Sequence, residues 1–217
     1  MICKPKLFLG NTVTVKDTYP LPYINRILGR LNGTKYLSRI DLSDAFWQIE
    51  LATEDRPKTA FIVPGRGLYQ YRRMPFGLCN ASQTLARLMD KVLGYDLEPK
   101  VFVYLDDIIV MSRTFEEHLS LLDEVAKRLN KAGLTVSLTK SHFCLKEIKY
   151  LGYILDEYGL RVDPEKISGI LNLTTPRTIK DIRRLIGLAG WYRRFIPDFS
   201  TITAPITNLL KKRAEEI

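Results

Sequence analysis

The chain has 217 residues, 46% of them hydrophobic, which is enough to bury a core as one domain or two small ones. Lys and Arg outnumber Asp and Glu by 33 to 24, a balance shared by nucleic-acid binders and by proteins with a merely solvated positive surface. Cys3, Cys79 and Cys144 lack CxxC spacing, no apolar run approaches ~20 residues, and Met1-Ile2-Cys3-Lys4-Pro5 lacks a secretory core. Zinc, a disulfide framework, a membrane span and secretion are thereby disfavoured, and a soluble intracellular chain is expected.

The first residues carry little pattern. Pro20 and Pro22 then open a segment in which Ile24, Ile27, Leu28 and Leu31 have helical spacing, stopped by Asn32-Gly33. Tyr36-Leu37-Ser38-Arg39-Ile40 runs as a strand into Asp41, followed by Asp44 and the aromatic pair Phe46-Trp47. From Ile49 to Met74 the sequence alternates, with turn signals at Glu54-Asp55 and Pro64-Gly65-Arg66-Gly67. This predicts a β-rich excursion with basic tips at Arg56, Lys58, Arg66, Arg72 and Arg73. A helix from about Ala81 to Leu93 follows.

The run Val101-Phe102-Val103-Tyr104-Leu105-Asp106-Asp107-Ile108-Ile109-Val110-Met111 sets two adjacent carboxylates between two β-rich apolar stretches. It reads as a hairpin with a tight turn at Leu105-Asp106-Asp107. Two like charges held together either raise one pKa or bind a divalent cation. An ordinary acidic turn is the alternative for this segment taken alone. If Asp41 ends a neighbouring strand, three carboxylates converge, the arrangement that Mg²⁺ and two-metal phosphoryl transfer use.

Thr114 and Glu117 form a capping pattern, and Phe115, Leu119, Leu122, Ala126 and Leu129 make a helical stripe ended by Gly133. His118 lies off this stripe and reads as solvated. Strands near Leu134–Leu138 and Tyr150–Leu155 complete an α+β pattern with helices on one face of an antiparallel sheet. The texture changes near Val162-Asp163-Pro164. Thr178 and Asp181 cap a helix whose inner face is Ile179, Ile182, Leu185, Ile186 and Ala189. Its other face repeats Lys180, Arg183, Gly187, Gly190, Trp191 and Arg194. A solvated basic face is one reading of that strip; a surface for nucleic acid is the other, since glycine costs about 1 kcal/mol inside a helix unless something approaches the backbone.

Tyr104-Leu105-Asp106-Asp107 resembles the Tyr-x-Asp-Asp motif of reverse transcriptases. Tyr19-Pro20-Leu21-Pro22, Asp41-Leu42-Ser43-Asp44-Ala45-Phe46, Lys58-Thr59-Ala60-Phe61, Met74-Pro75-Phe76-Gly77-Leu78, Leu151-Gly152-Tyr153 and Trp191-Tyr192-Arg193-Arg194-Phe195-Ile196-Pro197 accompany it in that family's order and at similar spacings. From about Val13 to Leu210 the chain is similar to the polymerases of gypsy-class long-terminal-repeat retrotransposons. The resemblance implies an α+β reverse-transcriptase palm, an antiparallel sheet with helices on one face, together with partial fingers and a helical thumb. Its segments would be 17–48 and 81–155 for the palm, 49–80 for the fingers and 156–217 for the thumb.

The implied activity is that of an RNA-directed DNA polymerase: extension of a primer 3′-hydroxyl on a template with deoxynucleoside triphosphates. Asp41 and Asp106 would hold two Mg²⁺ ions, or Mn²⁺ in their place, with Asp107 assisting and the Leu42 carbonyl completing the shell. Lys140 stands where the family places a lysine for the departing pyrophosphate; a surface lysine is the alternative. Asp44, Ala45, Phe46 and Phe76 would line the nucleotide, Phe46 excluding a ribose 2′-hydroxyl; core filler is the alternative for both aromatics. Tyr104 and Leu105 would contact nucleic acid, Leu151, Gly152 and Tyr153 would grip the primer end, and Lys180, Arg183, Gly187 and Trp191 would lie in the duplex minor groove. The partners implied are an RNA/DNA template-primer duplex and a larger polyprotein with protease, ribonuclease H and integrase, in the cytoplasm or in virus-like particles.

The chain departs from the family in two places. Lys4 to Asn11 does not reproduce the Val-Asp-Tyr-Arg-x-Leu-Asn stretch whose cations hold the triphosphate, and Asn80-Ala81-Ser82-Gln83-Thr84-Leu85-Ala86 has lost an aromatic and a glutamine. These departures read as a polymerase core or a fragment of one. They also keep two other readings open: an inactive remnant that only binds nucleic acid, and another palm-type nucleotidyl transferase such as a cyclase.

Overall fold

Strand β1 (Tyr36–Asp41) organises the first half of the molecule. In the computed structural model, which describes residues 8–20, 33–150 and 152–211, it lies inside a four-stranded sheet. The other strands are β4 (Val101–Tyr104), β5 (Asp107–Ser112) and β6 (His142–Leu145), in the order β4-β5-β1-β6 with every pairing antiparallel. Of the β-rich excursion expected between Ile49 and Met74, the short strands β2 (Phe61–Val63) and β3 (Gly67–Tyr69) form a separate hairpin, and Arg56–Thr59 is a 3₁₀ helix.

Alternation along β1 gives the sheet two faces. Ile40, Val101, Ile108 and Val110 point to one side, where they join Leu85, Met89, Val125 and Leu129 in a single core. A short helix, α1 (Phe8–Val13), precedes β1; those last four residues come from α2 (Ala81–Leu93) and α3 (Phe115–Lys131), so helices do cover one face of the antiparallel sheet. The opposite face carries Leu37, Arg39 and Asp41 of β1 and their register partners Met111, Ile109 and Asp107 of β5.

Helix α2 has the expected bounds. Gly94, at φ 70, ends it in a conformation that costs glycine no Cβ strain. The Thr114 hydroxyl accepts from the Glu117 N–H to start α3, and Arg128 holds the two helices together. Its guanidinium grips Asp96 through both Nη atoms at 2.9 and 2.6 Å, donates from Nε to Glu124 at 2.6 Å and reaches the Leu93 carbonyl.

Two expectations about this region fail. The buried positions of α3 are His118, Val125 and Leu129, whereas Phe115, Leu119 and Ala126 of the expected stripe are exposed. His118 is fully buried because Ser38 of β1 and Ser112 of β5, on the helical face of the sheet, bond both its ring nitrogens, at 2.7 and 3.0 Å. A polar side chain satisfied in this way can occupy a core position that hydropathy alone assigns to solvent. The expected strand at Leu134–Leu138 is reduced to one bridge, Val136 opposite Leu42. The N–H groups of Lys140 and Ser141 turn back onto the Ser137 carbonyl, which bends the chain away before β6 begins.

By compactness the chain forms two units. One comprises the described residues up to Ile148 with Asp156–Gly159; the other runs from Lys149 to Leu155 and from Leu160 onward. Strands β7 (Glu147–Tyr150), β8 (Tyr153–Asp156) and β9 (Gly159–Val162) form a three-stranded sheet in sequence order. Helix α4 (Pro164–Leu171) starts where Asp163 accepts from the Glu165 N–H at 3.0 Å, with proline at its first position. Helix α5 (Ile179–Trp191) opens with the expected capping box between Thr178 and Asp181. Its Ile179, Ile182, Leu185, Ile186 and Ala189 are half-buried, while Lys180, Arg183, Gly187 and Trp191 are exposed. Helix α6 (Phe199–Lys211) follows, with Pro205 inside it. The helix expected around Ile24–Leu31, and Leu151, lie outside the described residues.

Candidate functional site

Asp41 ends β1 and Asp107 opens β5, and the two are direct partners in the antiparallel register. The pairing of Tyr104 with Asp107 leaves Leu105-Asp106 as a two-residue turn. Leu105 takes φ 58, a left-handed conformation rare for a branched apolar residue, so the turn is held by its surroundings rather than by preference. Part of that hold is visible, since the Leu42 N–H donates to the Asp106 carbonyl at 3.1 Å and ties the turn to the end of β1.

The backbone of Asp41 is fixed on both sides. Its N–H donates to the Ser141 hydroxyl at 3.1 Å, and its carbonyl accepts from the Ser137 N–H at 2.8 Å. Opposite Val136, the bridging bonds are made by the carbonyl of Asp41 and the N–H of Ser43, so the Leu42 carbonyl takes no part in them. Lys140, exposed, immediately precedes the serine that holds Asp41.

The three carboxylates differ in environment. Asp106 is exposed at the tip. Asp107 is held by Arg39, whose Nε donates to Oδ1 at 2.8 Å, with the aspartate side chain 14% exposed. Burial pushes the Asp107 carboxyl up from its ordinary value; Arg39 opposes this, and the charges of Asp106 and Asp41 add to it. Among the described residues no three His, Cys, Asp or Glu side chains stand together as ligands for one ion. The carboxylates of Asp41 and Asp106 and the Leu42 carbonyl, at the joined ends of β1 and the turn, are hard-oxygen donors. Such a set suits Mg²⁺, which keeps several waters and lets substrate phosphates complete its shell.

Beside the carboxylates, Asp44 adopts φ 45, ψ 50 and turns the chain into a short 3₁₀ helix, Ala45–Gln48. Ala45 is buried, and Phe46 packs against the core while meeting Phe76 edge-on at 5.4 Å. Phe76 is half-exposed and also touches Trp47. Two residues that pattern reading missed hold this wall. Gln48 pairs with the backbone of Thr135, accepting its N–H at 2.7 Å and donating to its carbonyl at 2.9 Å. Asn11 bonds the loop after Phe76 in the same double fashion, donating to the Gly77 carbonyl at 2.7 Å and accepting the Cys79 N–H at 3.0 Å. A glutamine inside an aromatic stretch was a signal for the first; nothing in the sequence signalled the second.

In the second unit, Gly152 turns between β7 and β8 at φ 83. The buried Tyr153 stacks on Trp191, with centroids 6.1 Å apart and planes 13° apart, and donates its hydroxyl to the Trp191 carbonyl at 3.1 Å. The exposed face of α5 therefore ends on an indole fixed from behind. Added Cβ atoms at Gly187 and Gly190 would meet open space, so packing within the chain does not require these glycines.

Residues 6–155 match the reverse transcriptase (RNA-dependent DNA polymerase) family. The chain is 40% identical over 93% of its length to the retrovirus-related Pol polyprotein from transposon opus of Drosophila melanogaster, covering 20% of that protein. It is 40% identical over 93% of its length to the corresponding polyprotein from transposon gypsy of the same fly, covering 19% of it. The chain thus spans about a fifth of the length of these relatives. Among solved structures, a foamy viral protease-reverse transcriptase in complex with double-stranded DNA superposes with TM-score 0.86 at 32% identity, over 95% of this chain and 36% of that one. The foamy viral enzyme in complex with RNA/DNA hybrid gives TM-score 0.79 at 32% identity, over 93% of this chain and 27% of that one.

Proposed function

Because the chain belongs to the reverse transcriptase family, as a polymerase core of the gypsy-class retrotransposon kind, we propose that it extends a primer 3′-hydroxyl with deoxynucleoside triphosphates on an RNA or DNA template. One observation carries this reading: Asp41 and the Leu105-Asp106 turn are locked together, through the Leu42 N–H and the register of β1 with β5, beside the Phe46–Phe76 wall.

The family implies divalent metal use. Mg²⁺, or Mn²⁺ in its place, would be held as two ions by Asp41, Asp106 and the Leu42 carbonyl, with Asp107 assisting. Bound there, divalent cations supply Lewis acidity at the attacking hydroxyl and neutralise the phosphates. The protein's own contribution is positioning. Phosphoryl transfer needs little covalent help, and a fixed backbone at Asp41 keeps the carboxylates in one geometry through turnover. Asp44, Ala45, Phe46 and Phe76 form the nucleotide wall, and Phe46 excludes the ribose 2′-hydroxyl. Lys140, on the turn that holds Asp41, offers its ammonium to the leaving pyrophosphate. Leu151, Gly152 and Tyr153 would grip the primer end, Lys180, Arg183, Gly187 and Trp191 would follow the duplex minor groove, and Tyr104 and Leu105 would also contact nucleic acid.

Residues 17–48 and 81–155 would serve as palm, 49–80 as partial fingers and 156–217 as thumb. The chain would work within a larger polyprotein alongside protease, ribonuclease H and integrase. Among the described residues no helix is long and apolar enough to cross a membrane, and the free Cys79 and Cys144 suit a reducing setting, the cytoplasm or a virus-like particle. The test is primer extension with labelled deoxynucleotide on primed RNA and DNA templates. The wild-type chain should extend both weakly and with a high KM for nucleotide, since the stretch whose cations hold the triphosphate is not reproduced, and Asp106→Asn should extend neither while still binding duplex. Equal extension by the variant would overturn the assignment.

A further inference from the structure

The face of the sheet that carries Asp41 also carries a cation. Arg39 sits two residues before Asp41 on β1, its side chain on the same side, and it faces Ile109 in register. Asp107 is the direct partner of Asp41, so Arg39 meets Asp107 on the diagonal. Side chains directly opposite in such a pair have Cβ atoms about 4.5–5.5 Å apart, where two carboxylates repel. Asp106 adds a third negative charge next door. The guanidinium engages one of the three only, Asp107, at 2.8 Å from Nε to Oδ1. The Arg39 side chain is 29% exposed and that of Asp107 14%, so the contact is partly shielded from water, unlike most surface ion pairs.

We propose that Arg39 is a positioning residue that divides the labour between the adjacent aspartates. By drawing Asp107 back along the strand, away from the turn, it leaves Asp41 and Asp106 as the two carboxylates that bind the divalent cation. The inference rests on the polymerase reading for the identity of the site, and adds to it that Asp107 acts through Arg39 rather than as a ligand. It also explains why three carboxylates close in sequence and register do not form a three-ligand cluster. A site of two carboxylates keeps positions open for substrate phosphates; a third carboxylate would bind the ion more tightly before the nucleotide arrives.

The experiment measures Mn²⁺ binding to the full chain without nucleotide, by loss of the free-ion paramagnetic resonance signal. Asp107→Asn, which keeps an oxygen acceptor for Arg39, should leave the Mn²⁺ dissociation constant within about twofold, while Asp106→Asn should weaken binding at least about tenfold. Arg39→Met should tighten binding, because a freed Asp107 adds to the ligand charge of the site, and the double variant Arg39→Met/Asp107→Asn should return it to the wild-type value. Arg39→Lys should stay near wild type. If Asp107→Asn weakens Mn²⁺ as much as Asp106→Asn does, Asp107 is itself a ligand and the proposal falls. It falls equally if Arg39→Met lowers thermal stability with no change in Mn²⁺ affinity, because the pair is then only structural. Should Asp106→Asn leave Mn²⁺ binding untouched, the failure lies with the metal assignment of the site rather than with Arg39. The Asp107→Asn arm needs no substitution of Arg39 and decides the question even where Arg39→Met does not fold.

Discussion

The rings of Phe46 and Phe76 meet edge to face, with centroids 5.4 Å apart and planes at 79°, so two aromatics from distant parts of the chain form one wall. Such a pair contributes about 0.5–1.5 kcal/mol beyond the area it buries. Phe46→Val should therefore cost roughly 1 kcal/mol of stability from the lost pair, plus the loss of buried area. It should also open space where a 2′-hydroxyl would sit. The ratio of deoxynucleotide to ribonucleotide incorporation should fall at least about tenfold, with deoxynucleotide use little changed. An unmoved ratio in single-nucleotide extension would make Phe46 a packing residue only.

Gln48 acts on the same wall from behind, through its paired bonds to the Thr135 backbone. Gln48→Leu keeps the volume and removes these two bonds and a third, to the Ser43 carbonyl, leaving the Thr135 N–H to find water, since the Thr135 carbonyl still accepts from the Ser43 N–H. A loss of about 1–3 kcal/mol in urea unfolding is expected, together with a raised KM for nucleotide, because the 3₁₀ turn bearing Phe46 loosens. Loss of stability with nucleotide KM unchanged would confine Gln48 to folding.

His118 gives the fold an acid-sensitive element. Burial holds its imidazole below the ordinary value of 6.5, with the charge of Glu117 acting the other way. The unfolded chain takes up this proton as pH falls through about 6.5, whereas the folded chain resists it. The histidine's contribution is thus fully present above 6.5, declines below it, and levels off once the folded pKa is passed. Between about pH 7.5 and 5.5 the wild type should lose more unfolding free energy than His118→Gln, a substitution that retains donor and acceptor for Ser38 and Ser112. Parallel losses in the two proteins would remove His118 as the cause.

The strip on α5 should report itself through salt. Each phosphate neutralised adds roughly 0.7–0.9 to the slope of log affinity against log salt. Lys180→Ala and Arg183→Ala should each lower the slope by about that much and weaken duplex binding to a similar degree for every sequence. A slope unchanged in both variants would return this face to the solvated reading.

Much of this fold was legible because local signals agreed. The Asp106-Asp107 hairpin, the helix Ala81–Leu93 and both Thr-started helices rest on short-range rules, and all four lie where pattern places them. What escaped was nonlocal. His118 is buried only because Ser38 and Ser112 arrive from two strands to satisfy it, and neither serine is its neighbour along α3. The segment Leu134–Leu138 has strand-like residues, yet the Ser137 carbonyl captures two amides and curls it. At the site, the carboxylates were visible in sequence, whereas the bond from Arg39 to Asp107 is a diagonal across two strands that only the register reveals.

The alternation along β1 constrains how this protein can evolve. Ser38 and Ile40 belong to the helical side, and Arg39 and Asp41 to the side of the carboxylates, within one stretch of six residues. Deleting or inserting one residue there would exchange the two sides together, sending Asp41 into the apolar packing and Ile40 into the site. The strand can accept drift by replacement, residue for residue, but a change of length cannot be repaired by any single compensating mutation. Lineages of this element should therefore vary in the spacing on either side of Tyr36–Asp41 and keep the count within it.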